Sequence, residues 1–441
     1  MKGLLERLFH IEEKGSTIRT ELLGGMTTFM TMSYIIFVQP AILSGAGMDR
    51  GAVMTATCLS AALATVLMGF LANYPIALAP GMGLNVFFAV TVCAGMGYSW
   101  QTALGAVFIS GCLFVLLSLF GIWKTLVNSV PDSLKHAIAV GIGLFITLIG
   151  LEYGGVVVAS PGTFIGLGDL TSKPVALVLA GVAVTAVLMA LKVRSAILAG
   201  ILFTALAGIP LGIVQYGGVI AAPPSMAATF FQLDIAGALQ TGLVTVVFTF
   251  FFIDLFDTMG TLIGVSSQAG LLKDGKLPNA NKAMMADAVG TVSGALFGTS
   301  TVTSYIESST GIAHGARTGL SNLSVAFFFI VALFFSPLAE MIGGEVIYNG
   351  ASLKPGVAPP LIIVGFLMMR SVTRINWDDL TDSLPAFLTI AIIPMSMSIT
   401  EGIAFGLISL SLLKLVTGKG RSIHWLIYLF AVLSIIRYII K

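Results

Sequence analysis

The chain has 441 residues, of which 57% are hydrophobic and only 10% charged, and its mean hydropathy is +1.01. Soluble domains carry roughly 25% charged residues, so a water-soluble enzyme or a nucleic-acid-binding protein is excluded and an all-α polytopic membrane protein is expected. The net charge of +2 says nothing by itself, whereas its distribution along the chain does. Cys58, Cys93 and Cys112 lie in apolar stretches without CxxC or Cys/His spacing, which predicts neither a disulfide nor a metal site.

The first twenty residues mix charges (Lys2, Glu6, Arg7, Glu12, Glu13, Lys14, Arg19) with apolar residues and contain no uninterrupted apolar stretch of the kind a signal peptide needs. Leu4, Leu5, Leu8 and Ile11 fall on one face of a short amphipathic helix, expected at the membrane surface. Crossing ~30 Å of hydrocarbon takes about 20 apolar residues. Such runs follow at 20–43, 51–73, 76–95, 101–123, 134–153, 174–191, 196–215, 237–266, 283–298, 300–316, 318–344, 357–370, 384–398 and 401–417. That predicts fourteen transmembrane segments, and a further apolar stretch, 423–439, reads as a tilted or surface-lying helix.

The basic residues test this count. With the N-terminus in the cytoplasm, the outer loops hold only Arg50, Lys173 and Lys354. The inner side holds Lys124, Lys135, Lys192, Arg194, Lys273, Lys276, Lys282, Arg317, Arg370, Arg374, Lys414, Lys419 and Arg421, besides the basic residues of the N-terminus. This is the positive-inside asymmetry of a multi-pass protein in the cell (inner) membrane.

Two of the segments cannot be plain helices. The third carries Pro75, Pro80, Gly81 and Gly83 ahead of Asn85, and the tenth is a run of hydroxyl and β-branched residues from Thr299 to Ser304, followed by Tyr305 and Glu307. Irregular backbone at membrane depth survives only where protein buries it or it lines a cavity. Each is the third member of a set of seven, which predicts two inverted repeats with the binding site at the interruptions. A weaker echo links 174–208 with 384–418, each a helix, a break and a second helix.

Charges at membrane depth cost about 2.5–3.5 kcal/mol on insertion scales and mark functional positions. Asp254, Asp257, Thr258 and Thr261 form one polar stripe on the eighth segment. Glu307 lies within the broken tenth segment and Asn85 just past the break in the third. A carboxylate accepts two N–H bonds side by side, and Asn both donates and accepts. Asn85, Asp254 and Glu307 therefore suit a neutral heterocycle, with Ser304, Tyr305 and Thr258 beside them and Phe87 and Phe88 placed to stack on a flat ring. A carboxyl taken out of bulk water can also trade a proton during transport. Plainer readings stand alongside: Asn85 as a half-helix cap, Asp257 as a structural acid, Asp287 as a helix-packing contact, His314 as a surface histidine, and Glu21 and Glu401 as interfacial groups.

The runs Ala79-Pro-Gly-Met-Gly-Leu-Asn85-Val-Phe-Phe-Ala89, Asp254-Leu-Phe-Asp257-Thr-Met-Gly-Thr-Leu262 and Gly298-Thr-Ser-Thr-Val-Thr-Ser-Tyr-Ile-Glu307-Ser308, with Arg317-Thr-Gly319 after them, resemble the AzgA-like branch of the nucleobase–cation symporter family over nearly the whole chain. The resemblance implies fourteen segments in seven-plus-seven inverted repeats, with short strands in segments three and ten. It implies a core domain from 1–123 and 237–344, a gate domain from 124–236 and 345–418, and a C-terminal helix at 419–441. It further implies import of adenine, guanine or hypoxanthine with protons by an elevator movement, and a homodimer formed through the gate. Carried over position by position, Asn85, Asp254 and Glu307 match recognition residues and Asp257 a second important acid. Asp257, Glu307 and Asp254 are then the groups expected to couple the proton, with no other cofactor. Departures from the branch pattern are Val86, where alanine is expected, and Ala316, where glycine is.

An anion carrier of the sulfate-permease type shares this architecture and is the alternative, but Glu307 and Asp254 would repel an anion. An intramembrane enzyme is not supported: there is no HExxH, and His10, His136, His314 and His424 are scattered. Broken helices with buried acids also fit a substrate site better than an open channel.

Overall fold

The computed structural model describes residues 2–123, 125, 129–160, 163–239, 243–271 and 277–440. The sequence expectations for Lys124, Lys273, Lys276 and Lys441 lie outside these residues. Each of the fourteen predicted ranges holds a helix. Eight helices among the described residues are long and apolar enough to cross a membrane, and four further apolar helices are shorter. Outward-facing Leu119, Phe120, Leu206, Phe327, Leu415 and Val416 are exposed, as expected of surfaces solvated by lipid.

The first helix, α1 (Lys2–Phe9), is anchored to protein at its C-terminal end, with Leu4 and Leu8 exposed. Phe9 and Ile11 are buried against Leu320, and Asn73 Nδ2 donates to Phe9 O at 2.8 Å. The first predicted span is two helices, α2 (Ile18–Met32) and α3 (Ile35–Leu43), broken at Ser33 and Tyr34. The next long helix, α4 (Arg50–Leu71), opens with Asp49 accepting from Ala52 N at 2.8 Å, an N-cap that satisfies an otherwise orphaned donor. Strand β1 (Leu78–Pro80) leads into α5 (Met82–Val86), whose turns widen through Gly95. After α6 (Trp100–Phe120) and α7 (Asp132–Tyr153) comes a hairpin of β2 (Val157–Ser160) and β3 (Phe164–Leu167). The predicted echo appears first as α8 (Lys173–Ala190) and α9 (Ala196–Gly208).

The second half runs through the short α10 (Ile235–Ala238) to α11 (Val244–Gln268) and α12 (Ala280–Phe297), then β4 (Val302–Ser304) and α13 (Ser308–Ala313). Helices α14 (Leu320–Ala332) and α15 (Ser336–Ile342) follow, then β5 (Val346–Tyr348) and β6 (Ala351–Leu353). The turn between these strands is Asn349-Gly350, both with positive φ (48° and 79°), the two-residue turn that matches strand twist. Helix α16 (Ala358–Met368) precedes the second echo, α17 (Leu380–Ser396) and α18 (Ile399–Val416), and the chain ends in α19 (Trp425–Ile440).

By packing, the chain divides into one unit of residues 1–120 and 150–360 and another of 121–149 and 361–441. Residues 150–236 thus pack with the first unit, a division drawn at other residues than the core and gate boundaries. In the first unit α12 packs on α4 and α6, and α14 on α2 and α4. Backbones there approach closely at small residues: a Cβ on Gly25 would lie 2.1 Å from Ser321 O, and one on Gly319 2.2 Å from Gly69 O. Glu21 is not interfacial. It is fully buried and accepts from Arg317 N at 2.8 Å and Thr318 N at 3.2 Å, capping the turn into α14.

In the second unit, Glu401 in the first turn of α18 pairs with Arg437 and Tyr438 in the last turn of α19. At the other end Tyr428 OH donates to Gly420 O at 2.8 Å. The C-terminal helix therefore runs antiparallel along α18. The buried Lys414 ammonium is paired with Asp382 at 2.8 Å.

An ionic group ties the β5–β6 hairpin to α3 and α4. Lys354 is buried, donates to Ala41 O at 2.8 Å and sits 3.5 Å from Glu345 Oε1, which also pairs with Arg50. Burial alone would push the Glu345 carboxyl up, but the Ser352 hydroxyl, Lys354 and Arg50 outweigh it and hold the group below the usual glutamate range. Its stabilising contribution is present above the unfolded pKa of about 4.3 and is lost as pH falls through the lower folded value. The gap in thermal midpoint between wild type and Glu345→Gln, measured in detergent, should be widest near neutral pH and close on acidification. A gap that widens in acid is the contrary result.

The close α2–α14 contact gives a second expectation. Gly25→Ala should cost on the order of 1–3 kcal/mol by overpacking. Gly260→Ala, where a Cβ meets nothing within 4 Å, should gain up to about 1 kcal/mol of helix propensity. Thermal midpoints of the two variants should move in opposite directions.

Candidate functional site

The two broken segments meet as predicted. Strands β1 and β4 pair antiparallel, with Leu78 opposite Ser304, Ala79 opposite Thr303 and Pro80 opposite Val302. Gly81 N donates to Thr301 O and Tyr305 N to Ala77 O, each at 2.9 Å, so the ladder continues one step at both ends. Pro80 fits because a two-stranded ladder leaves its ring position without a required donor. The approach to β1 is fixed by Asn322, whose Nδ2 lies 3.1, 3.0 and 2.9 Å from the carbonyls of Thr65, Tyr74 and Ile76.

Around this crossing the polar residues form an inner layer and an open layer. In the inner layer Asn85 is fully buried and its Oδ1 accepts from Ser300 Oγ. Ser300 and Thr299 are also bonded by Gln39 Nε2, at 3.3 and 2.9 Å. Asp254 is fully buried, with Oδ2 accepting from Thr291 Oγ1 at 3.1 Å. Thr258 Oγ1 donates to Asp287 Oδ1 at 2.7 Å and lies 2.8 Å from Thr303 Oγ1. Ser304 Oγ reaches Asp287 Oδ1 at 3.5 Å.

The open layer is Glu307 and Asp257, both half-buried. Glu307 directly precedes α13, and its Oε1 accepts from Tyr34 OH at 2.8 Å. Tyr34 reaches it because the helix break at Ser33 and Tyr34 sits beside the crossing. Tyr305 packs by Tyr34, ring centroids 6.4 Å apart, and donates its hydroxyl to Pro80 O. Asp257 Oδ2 accepts from Thr303 Oγ1 at 3.4 Å.

Of the residues singled out from sequence, Asn85, Asp254, Asp257, Thr258, Ser304, Tyr305 and Glu307 therefore gather at one strand crossing. Phe87 and Phe88 behave differently. Both are fully buried and pack on Phe250, with centroids 4.9 and 6.4 Å away, so neither presents a face to a ligand in this structure. Their bulk instead fixes the half-helix that carries Asn85. His314 is at the surface, with Nδ1 2.6 Å from Arg194 Nη1.

Sequence reasoning missed Tyr34, Gln39, Thr291, Ser300 and Thr303, and took Asp287 for a packing contact. The available signal was their polarity inside apolar runs. Because Thr258 serves both Asp287 and Thr303, Thr258→Val should cost about 1–3 kcal/mol by leaving a buried acceptor unpaired. A thermal midpoint equal to wild type in detergent would speak against the inner layer as described.

Among known proteins, the profile of the permease family matches residues 19–405. The chain is 44% identical over 439 residues to the adenine permease AdeP of Escherichia coli, covering 99% of this chain and 96% of that one. It is 43% identical over 447 residues to the guanine/hypoxanthine permease PbuG of Bacillus subtilis, covering 99% of each. Among solved structures it is similar to the transmembrane domain of a cyanobacterium bicarbonate transporter, BicA. The TM-score is 0.60 at 17% identity, over 88% of this chain and 96% of that one, and at that identity the likeness concerns the fold alone.

Proposed function

The chain belongs to this permease family and is a multi-pass membrane transporter rather than an enzyme, and on that premise we propose that it imports purine nucleobases by proton symport. The observation that carries the proposal is the placement of Glu307: half-buried at the strand crossing, with one carboxylate oxygen oriented by Tyr34. A carboxylate so held offers its remaining acceptor capacity to ring N–H donors of a neutral base. Adenine, guanine and hypoxanthine, the bases in the names of the two relatives, all carry such donors. An anion would meet Glu307 and Asp257 as repelling charges, so the anion-carrier alternative is not favoured.

On the same reading Glu307 and Asp257 meet the base and Asp254 takes part in proton coupling. Asn85, Thr258, Ser304 and Tyr305 shape and support the site. Residues 1–123 and 237–344 act as a core domain that moves elevator-fashion against a gate domain of 124–236 and 345–418, through which two copies pair. The fourteen segments lie in the cell (inner) membrane with the N-terminus cytoplasmic.

The test is uptake of radiolabelled hypoxanthine and adenine by cells expressing wild type or Glu307→Gln, competed by unlabelled adenine, guanine, xanthine and uracil, with and without a proton uncoupler. Purines should compete, uracil should not, and the uncoupler should abolish accumulation. Losing a charge-assisted hydrogen bond of roughly 1.5–3 kcal/mol should weaken Glu307→Gln apparent affinity about 10–100-fold. Unchanged affinity in the variant, or competition led by uracil, sinks the proposed site.

A further inference from the structure

Three basic residues fall in loops read as outer, Arg50, Lys173 and Lys354, and two of them converge on one carboxylate. Glu345 Oε1 pairs with Arg50 and lies 3.5 Å from Lys354 Nζ, while Glu345 Oε2 accepts from Ser352 Oγ at 2.8 Å. Lys354 Nζ also donates to Ala41 O at 2.8 Å, and Arg50 Nε donates to Ser44 Oγ at 3.2 Å. Ala41 and Ser44 lie at the C-terminal end of α3, where helix carbonyls lack partners and the dipole favours cations. Glu345 directly precedes β5 and Lys354 directly follows β6. The ionic group therefore closes the neck of the hairpin onto α3 and α4.

Other bonds of the hairpin run to a different place. Lys354 N donates to Tyr153 O at 2.8 Å, and the Lys354 ammonium sits 4.7 Å from the Tyr153 ring centroid. Tyr348 OH donates to Asp169 Oδ2 at 2.9 Å. In the core-and-gate division Tyr153, Asp169 and the hairpin are gate, whereas Ala41, Ser44 and Arg50 are core. Backbone and tip thus bind the hairpin to its own domain, and the side chains of Glu345 and Lys354 carry it across the boundary. Close by, that boundary is not packed. A cavity of about 600 Å³ separates residues 212–217, on the gate side, from Pro337, Met341 and Gly344 on the core side, and Glu345 lies on its wall.

A buried ammonium is costly unless it is paired. Lys354 is buried, and a movement of core against gate takes Ala41 O away from it and parts Arg50 from Glu345. Packed apolar helices, such as α9 on α2 and α15 across the same boundary, slide in small steps. The ionic group has two discrete states, made or broken, as a conformational switch requires.

Resting on the core-and-gate reading above and deepening it, we propose that Arg50, Glu345 and Lys354 form an outer latch. Closed, the latch holds core and gate together on that face and favours the conformation seen here. It opens in each transport cycle before the strand crossing is exposed to the outside. Among the described residues its bonds go to Ala41, Ser44, Ser352 and Tyr153 rather than to Asp257 or Glu307. Opening it therefore shifts populations and leaves the site's own contacts in place.

The test places a reporter on the open face of α11. Gly260 lies one turn beyond Asp257, is exposed, and a Cβ there meets nothing within 4 Å. Gly260→Cys is introduced into wild type, Lys354→Met, Glu345→Gln and Gly25→Ala, and intact cells are labelled with a membrane-impermeant thiol reagent added outside. The same chains without Gly260→Cys give the background from Cys58, Cys93 and Cys112, and serve for uptake of the labelled purine that wild type carries. Methionine keeps the length of lysine and removes its charge. Losing the latch should raise the labelling rate about fivefold, a coupling of ordinary size for such a switch. It should lower the half-saturation constant for external purine by a similar factor, because apparent affinity scales with the competent fraction.

Gly25→Ala, overpacked within the core, should label at the wild-type rate. Unchanged or slower labelling in Lys354→Met, or an equal rise in Gly25→Ala, overturns the latch. A half-saturation constant that rises in Lys354→Met also overturns it, because Lys354 then supports the site instead. If Lys354→Met does not reach the membrane, Glu345→Gln decides by the same criteria. If wild type carries no purine, the functional reading fails, and the labelling rates still decide the latch.

Discussion

Peptide groups inside hydrocarbon have no water to bond, and an unbonded N–H or C=O there costs several kcal/mol. The pairing of β1 with β4 answers that constraint for two interrupted segments at once. Neither strand could exist alone, since each would present an open edge. Once paired they halt two half-helices at one level and turn Asn85, Ser304 and Glu307 toward a common region. The close approaches at Gly25 and Gly319, and the Asn322 amide beneath three carbonyls, serve the same end by holding the helices that flank the crossing.

From this pairing follows the division into a closed and an open layer. Hydroxyl groups from β4 and the residues before it face acids and amides on neighbouring helices, so the buried polar groups largely satisfy one another. Such networks specify a single arrangement when complete and are costly when partly made. The acids left half-open, Asp257 and Glu307, are the ones a ligand can reach, and each touches the closed layer or its bracing tyrosine through one hydrogen bond. Binding at the open layer is therefore mechanically joined to the helices behind it.

Much of this was legible in the sequence, for identifiable reasons. Pro80 and Gly81 in one segment, and six consecutive hydroxyl or β-branched residues in another, are incompatible with a lipid-facing helix, and both proved to be strand followed by half-helix. The 3.6-residue period of Asp254, Asp257, Thr258 and Thr261 placed the acids on one stripe. What escaped depended on which helix meets which. Asp287 and Thr291 repeat the spacing of Asp254 and Thr258, but that Thr258 meets Asp287 and Thr291 meets Asp254 shows only in the folded chain. Tyr34 sits at a break that no proline or glycine announces. Phe87 and Phe88 read alike as ligand platforms or as buried filling, and only packing on Phe250 decides. The Asn349-Gly350 turn was a readable hairpin signal that the apolar spans overshadowed.

The strand crossing also bears on how the chain is made. Ala77 N is bonded by Ser308 Oγ, 231 residues further along, and β1 itself waits for β4. Contacts of such sequence separation form late, after a large loop-closure cost. While the ribosome completes the second half, the third segment carries an unfinished edge that lipid cannot satisfy. It must therefore be sheltered, by the insertion machinery or by α4 folded over it, until its counterpart emerges. Truncation anywhere before β4 would leave a membrane intermediate with exposed peptide groups, marked for quality control rather than for partial activity.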